Sequence, residues 1–195
     1  MDGQWLTPVE QKALLLLARD ALERGVRGLP IPEPDWDRLP PRLREPGATF
    51  VTLTKHGQLR GCIGSLEPRL PLALDVQKNA VAAALQDPRF FPVTPDELPE
   101  IRVEVSYLTP PKPLPYTSPE DLLRKLKPGV HGVVLVDPDT GRRATFLPQV
   151  WEQLPDPEVF LSHLSMKMGA PPDLWRRKPL DVYVYTVQKF AEGEV

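Results

Sequence analysis

The segment LRGCIG, residues 59–64, holds the single cysteine of a 195-residue chain. Arg60 stands two positions before Cys62, and Gly61 and Gly64 flank it. Alternate residues of a strand share a face, which predicts Arg60 and Cys62 on one side with Cα atoms about 7 Å apart. Leu59 and Ile63 would then point to the core. A guanidinium beside a thiol favours the thiolate, the form that attacks carbon or binds a metal. At a reference pKa of about 8.5, about 3% of a thiol is ionised at pH 7, and a one-unit depression raises that to about 25%. Gly61 and Gly64 each cost a strand roughly 0.5–1 kcal/mol relative to alanine. Close approach of another backbone or of a ligand offsets such a cost. The competing reading is that a lone strand cysteine is a small buried hydrophobe.

A cysteine nucleophile needs a base, and the chain has three histidines. His56 falls in a turn, and His163 lies within a helix with the spacing of a solvated residue. His131, just after Gly129 at the start of an apolar strand, is the candidate partner, although a histidine there also serves to cap loop carbonyls. One cysteine with scattered histidines gives no CxxC or HxxxH spacing, so no metal site is expected. Glu104 and Ser106 share the polar face of their strand and would join Cys62 if the strands are neighbours. No GxGxxG or Walker sequence is present to cradle a nucleotide, and the cofactor is left open.

These side chains need a scaffold. Thr7, Pro8 and Glu10 predict a capped helix N-terminus, with Leu14, Leu17, Ala18 and Leu22 on one face and Gly25 as its stop. Six prolines between residues 28 and 47 describe a wrapping arm pinned by Trp36. Strands 48–54 and 59–65 form a hairpin whose Gly57 takes positive φ. A second helix follows, with Asp75, Lys78, Asn79 and Gln86 on one polar stripe. In the strand 101–108, Ile101, Val103, Val105 and Tyr107 alternate onto one face. A short helix opens at Ser118, and a second hairpin surrounds residues 138–141, with Val133–Val136 buried on both faces. A helix from Asp156 stops at Gly169, and the last strand spans 181–187. Strands joined by hairpins and mixed with helices make an α+β fold with a mostly antiparallel sheet.

Composition bounds the function. Apolar residues make up 41%, charged residues 26%, and the net charge is −2, a globular balance. A nucleic-acid binder shows a basic excess that is missing here. The apolar runs at 13–18 and 80–85 fall short of the roughly 20 residues that span a bilayer, and the N-terminal stretch lacks the basic start of a signal peptide. A single cysteine excludes an internal disulfide and fits a cytoplasmic protein. Twenty-six prolines and one asparagine, Asn79, match a heat-adapted source or a GC-rich genome.

Taken together, LRGCIGSLEP, QDPRFFPVTPDELPEIRVEVSYLTPP, PGVHGVVL, RRATFLPQVWEQ and FLSHLSMKMGA resemble, in order, the conserved blocks of the AMMECR domain family, system protein A of the AmmeMemoRadiSam set. The resemblance covers most of the chain. It implies one domain over 1–195, in two unequal lobes around a cleft, with the LRGCIG strand near that cleft. The larger lobe would include 1–27, 48–108 and 129–190. It also implies Memo-like and radical SAM proteins as partners, but brings no reaction with it. Carried over by motif position, the site residues are Arg60, Gly61, Cys62 and Gly64, then Arg89 of DPRF, His131 and Arg143. Ser165 stands where many prokaryotic relatives have cysteine, so a thiol pair within the chain is excluded. Two readings follow. In one, Cys62 is a nucleophile or binding group and Arg60, with Arg89 or Arg143, holds a small anion. In the other, the protein is a non-catalytic adaptor braced by its prolines.

Overall fold

The computed structural model describes residues 5–195. The chain folds as α+β, in two compact units. One comprises the chain up to Thr109 together with Gln188–Val195; the other is Pro110–Val187. Residues 129–187, expected with the larger lobe, therefore lie wholly in the second unit. They pack about their own sheet and their own apolar core.

In the first unit, helix α1 (Pro8–Val26) begins with the predicted capping box. The Glu10 amide donates to Thr7 Oγ1 at 3.3 Å, and the Thr7 amide donates to Glu10 Oε1 at 2.8 Å. Thr7→Ala is expected to lower stability by about 1 kcal/mol, read by urea denaturation. The helix runs through Gly25, where a Cβ would sit 3.0 Å from Val81 on helix α2 (Leu72–Leu85). Gly25 thus serves helix packing. The stop comes at Gly28, with φ 70°, where the Leu29 amide donates to the Arg24 carbonyl.

Strands β1 (Pro46–Lys55) and β2 (Gln58–Gly64) form the expected hairpin. His56 and Gly57 both take positive φ, 51° and 78°, the geometry that suits a two-residue turn to strand twist. Strand β3 (Leu70–Pro71) pairs with the start of β1. Strand β4 (Ile101–Leu108) runs antiparallel to β1 on the other side from β2, and β9 (Val187–Ala191) completes the order β2-β1-β4-β9. One sheet face presents Val51, Leu53, Val103 and Val105 to Leu14, Leu22, Val76 and Ala83 of the two helices. The strand expected to end at 187 ends instead at Tyr185, and β9 resumes at Val187. Buried Gln188 anchors it, its side chain accepting from the Leu6 amide and donating to the Leu6 carbonyl.

In the second unit, β5 (Lys112–Pro113), β8 (Asp181–Tyr185), β6 (Gly132–Val136) and β7 (Arg143–Phe146) form a sheet in that order. Its core joins Val133, Leu135 and Val182 to α3 (Pro119–Lys125), α4 (Pro157–Lys167) and α5 (Leu174–Arg177) through Leu122, Phe160, Leu164 and Trp175. Trp151 stacks on Phe160 with centroids 3.7 Å apart. Among the described residues no helix is long and apolar enough to cross a membrane.

Candidate functional site

Strand β2 lies at an edge of its sheet. Its register with β1 slips between Leu53 and Thr54: Leu53 faces Gly61, and Thr54 faces Leu59. Arg60 is the extra residue of a β-bulge, and a bulge re-aims its side chain. The predicted alternation therefore fails from Arg60 outwards. Leu59, expected inside, is exposed, while Ile63 packs against the core. The Arg60 guanidinium donates through Nε and Nη2 to Glu97 at 2.9 and 3.1 Å, and through Nη1 to the Phe91 carbonyl at 2.8 Å. Arg60, with help from the Thr94 amide and Lys55, holds the Glu97 carboxyl down to about 2. All three Arg60 nitrogens are engaged in bracing the loop that follows α2.

The space left by the glycines is filled by protein. A Cβ on Gly61 would lie 2.1 Å from the carbonyl oxygen of Ala83, so α2 presses directly on the strand. One on Gly64 would lie 2.2 Å from the Phe50 ring. Of the two uses expected for these glycines, close approach of the fold itself is the one seen.

Cys62 is half-buried. Its Sγ lies 3.2 Å from Thr52 Oγ1, and its amide donates to Asp87 Oδ2 at 2.9 Å. Asp87 explains the DPRF segment. Its carbonyl accepts from the Phe90 amide across a turn with Pro88 at the second position, and its Oδ1 accepts from the Arg89 amide. Arg89 then folds back: Nε donates to Oδ1 at 3.0 Å and Nη2 to Oδ2 at 2.7 Å. The Asp87 carboxyl is held well below the usual range, chiefly by Arg89 and then by the Cys62 and Arg89 amides. Arg89 holds its proton more tightly than a free guanidinium, chiefly through its hydrogen bonds to Asp87. The guanidinium linked to Cys62, through Asp87, is thus Arg89, whose side chain is 56% exposed. Its Nη1 makes no hydrogen bond to the described residues, and the guanidinium stands 5.4 Å from the centroid of the Phe90 ring.

A buried polar network, not foreseen as such, ties the end of this strand to α2. Asp75, 2% exposed, accepts from the Thr49 amide (2.8 Å), the Thr49 hydroxyl (2.7 Å), the Ser65 hydroxyl (2.6 Å) and Asn79 Nδ2 (3.1 Å). Burial raises the Asp75 carboxyl, and the donors from Ser65 and Thr49 counter this only in part. Asp75 and Asn79, expected on one polar stripe, are both buried and face the sheet. The signal was their spacing of four, which places both on one helix face beneath Ser65 and Thr49.

His131 and Arg143 belong to the second unit. His131 Nδ1 accepts from the Lys127 amide at 3.1 Å, its own amide donates to the Lys127 carbonyl, and its carbonyl accepts from Trp151 Nε1 at 2.7 Å. It closes the turn before β6, and burial, then Lys127, lowers its pKa. Arg143 opens β7 opposite Val136. His163 and His56 are exposed, with His56 Nε2 3.1 Å from Glu100. Ser165 is fully buried, its hydroxyl donating to the Leu161 carbonyl. Among the described residues, no three of His, Cys, Asp or Glu converge as metal ligands would.

The AMMECR1 family profile matches residues 15–190. A protein from Thermofilum pendens is 43% identical over 200 residues, 94% of this chain and 90% of that one. One from Methanothermobacter thermautotrophicus is 43% identical over 188 residues, 94% of each chain. The crystal structure of the uncharacterized protein PH0010 from Pyrococcus horikoshii superposes with a TM-score of 0.75 at 36% identity, covering 95% of this chain and 92% of that one. The chain belongs to the AMMECR1 family.

Proposed function

We propose that the LRGCIG strand carries a binding site for a small anionic molecule, with Arg89 supplying the charge and Cys62 a polarisable, nucleophilic contact. We propose also that the protein acts with Memo-like and radical SAM partners. One observation carries the site. A single buried carboxylate, Asp87, holds both the Cys62 amide and the Arg89 guanidinium, so the Cys62 backbone and the cation are fixed relative to each other with one guanidinium nitrogen making no hydrogen bond. Preorganised donors of this kind suit carboxylate and phosphate groups.

Alkylation tests the site. Cys62 is expected to react faster than free cysteine at pH 7. Arg89→Gln, which keeps a donor for Asp87, is expected to slow anionic iodoacetate relative to neutral iodoacetamide by roughly fivefold, about 1 kcal/mol of charge attraction. An unchanged ratio overturns the site. The adaptor reading is favoured by Phe91, 90% exposed on a loop whose carbonyl Arg60 grips. A stiffly presented aromatic is an interface anchor. A Cys62 thiol slower than free cysteine, with Cys62→Ser altering stability alone, would support that reading.

A further inference from the structure

The strand register carries a row of side chains inward from Cys62. Cys62 faces Thr52 across β1, and Thr52 faces Glu104 across β4. Residues directly opposite across antiparallel strands share a sheet face, and the 3.2 Å separation of Cys62 Sγ and Thr52 Oγ1 shows it here. Two strand spacings set the Cα atoms of Cys62 and Glu104 about 10 Å apart.

Glu104 differs from the acids around it. Asp87 is paired with Arg89, and Glu97 with Arg60 and Lys55. Glu104 is half-buried, and no described residue gives its side chain a hydrogen bond or an ion pair. Arg102, two residues before it on β4, is occupied by Glu194 and the Glu192 carbonyl. A partly desolvated carboxylate without a partner is unfavourable, and a cation that reaches it gains accordingly. The row thus runs from the Arg89 guanidinium at the sheet edge, paired with Asp87 but with Nη1 free of hydrogen bonds, past a thiol and a hydroxyl, to a carboxylate without an ion-pair partner two strands in.

We propose that the ligand of this site is a small zwitterion, its anionic group held by Arg89 beside Cys62 and its ammonium group held by Glu104, with its chain lying over Thr52. The proposal rests on the reading of Arg89 and Cys62 as an anion site. The separation selects molecules whose two charges stand several bonds apart, such as ω-amino acids or dipeptides, over α-amino acids, whose charges are adjacent. Thr52 supplies a donor and an acceptor to the middle of such a molecule.

The experiment is protection of Cys62 in the intact chain against iodoacetamide, followed by mass spectrometry. The probes are ω-amino acids from glycine to 8-aminooctanoate, each beside the matching carboxylic acid and alkylamine. A longer ω-amino acid is expected to protect at about tenfold lower concentration than the acid of equal length, as one charge-assisted contact allows. Glu104→Gln, nearly isosteric, is expected to abolish that advantage and leave protection by the acid unchanged. Arg89→Gln is expected to weaken both. Equal protection by acid and amino acid in the natural chain overturns the zwitterion and leaves the anion site standing. Failure of every anion to protect overturns both. An advantage that survives Glu104→Gln removes Glu104 from the site.

Discussion

Gly61→Ala is expected to destabilise the first unit by about 3 kcal/mol or more, the upper end of overpacking costs. The new methyl would stand 2.1 Å from the Ala83 carbonyl oxygen. That atom is backbone in the last turn of α2, so it cannot swing aside as a side-chain tip does. Relief requires lifting the helix from the sheet and opening the contacts of Val76, Ala80 and Ala83 with Val51 and Leu53. Gly64→Ala is the control. Its methyl would meet the Phe50 ring at 2.2 Å, but Phe50 is half-exposed and can turn outward. The expected result in chemical denaturation is a much larger drop in midpoint for Gly61→Ala than for Gly64→Ala. Equal losses would show that α2 does not press on the strand as described. The contrast bears on function as well, because the same helix ends two residues before Asp87, the group that fixes Cys62 and Arg89.

Asp75→Ala carries the second large effect. It removes the acceptor for the Thr49 amide and hydroxyl, the Ser65 hydroxyl and one Asn79 contact. Each buried donor left without a partner costs about 1–3 kcal/mol. Asn79 and Ser65 can re-pair with each other, and the Asn79 amide already reaches the Thr49 carbonyl, so a net loss of about 3 kcal/mol is expected. Asp75→Asn should cost far less. Its oxygen can serve Thr49 while its amide donates to the Ser65 hydroxyl, which can accept.

The pH dependence separates charge from shape. Burial raises the Asp75 carboxyl in the folded chain, so the folded state takes up its proton before the unfolded state does. Stability from this group therefore increases as pH falls through the raised value towards the unfolded value near 4. Asp87 and Glu97 act oppositely. Their lowered values mean stability that is present above the unfolded value and is lost as pH falls, through about 2 for Glu97. Between pH 7 and about 4, the natural chain is expected to gain on Asp75→Asn. A stability difference that stays flat across that range would mean that burial does not raise the Asp75 carboxyl.

Local rules made much of this protein readable in advance. Thr7, Ser118 and Asp156 each offer an oxygen to the first turn of a helix, and such caps depend only on neighbours in the chain. The alternation of Ile101, Val103, Val105 and Tyr107 is likewise a property of one strand, and all four are buried. Cys62 could be singled out because its residue type is unique.

Long-range packing settled the rest. The bulge that re-aims Arg60 arises from pairing with β1, a partner that the LRGCIG segment does not encode. Arg60 is spent on Glu97, 37 residues away, and Asp87, 25 residues from Cys62, brings in Arg89. Gly61 was open to close approach by a backbone or by a ligand, and only the placement of α2 shows that a carbonyl fills the space. The strands of Glu104 and Cys62 are not neighbours; the two residues share a sheet face with β1 between them, a fact of sheet order. Short-range preferences are written in adjacent residues. Which charge meets which depends on how distant segments pair, and only the folded chain decides that.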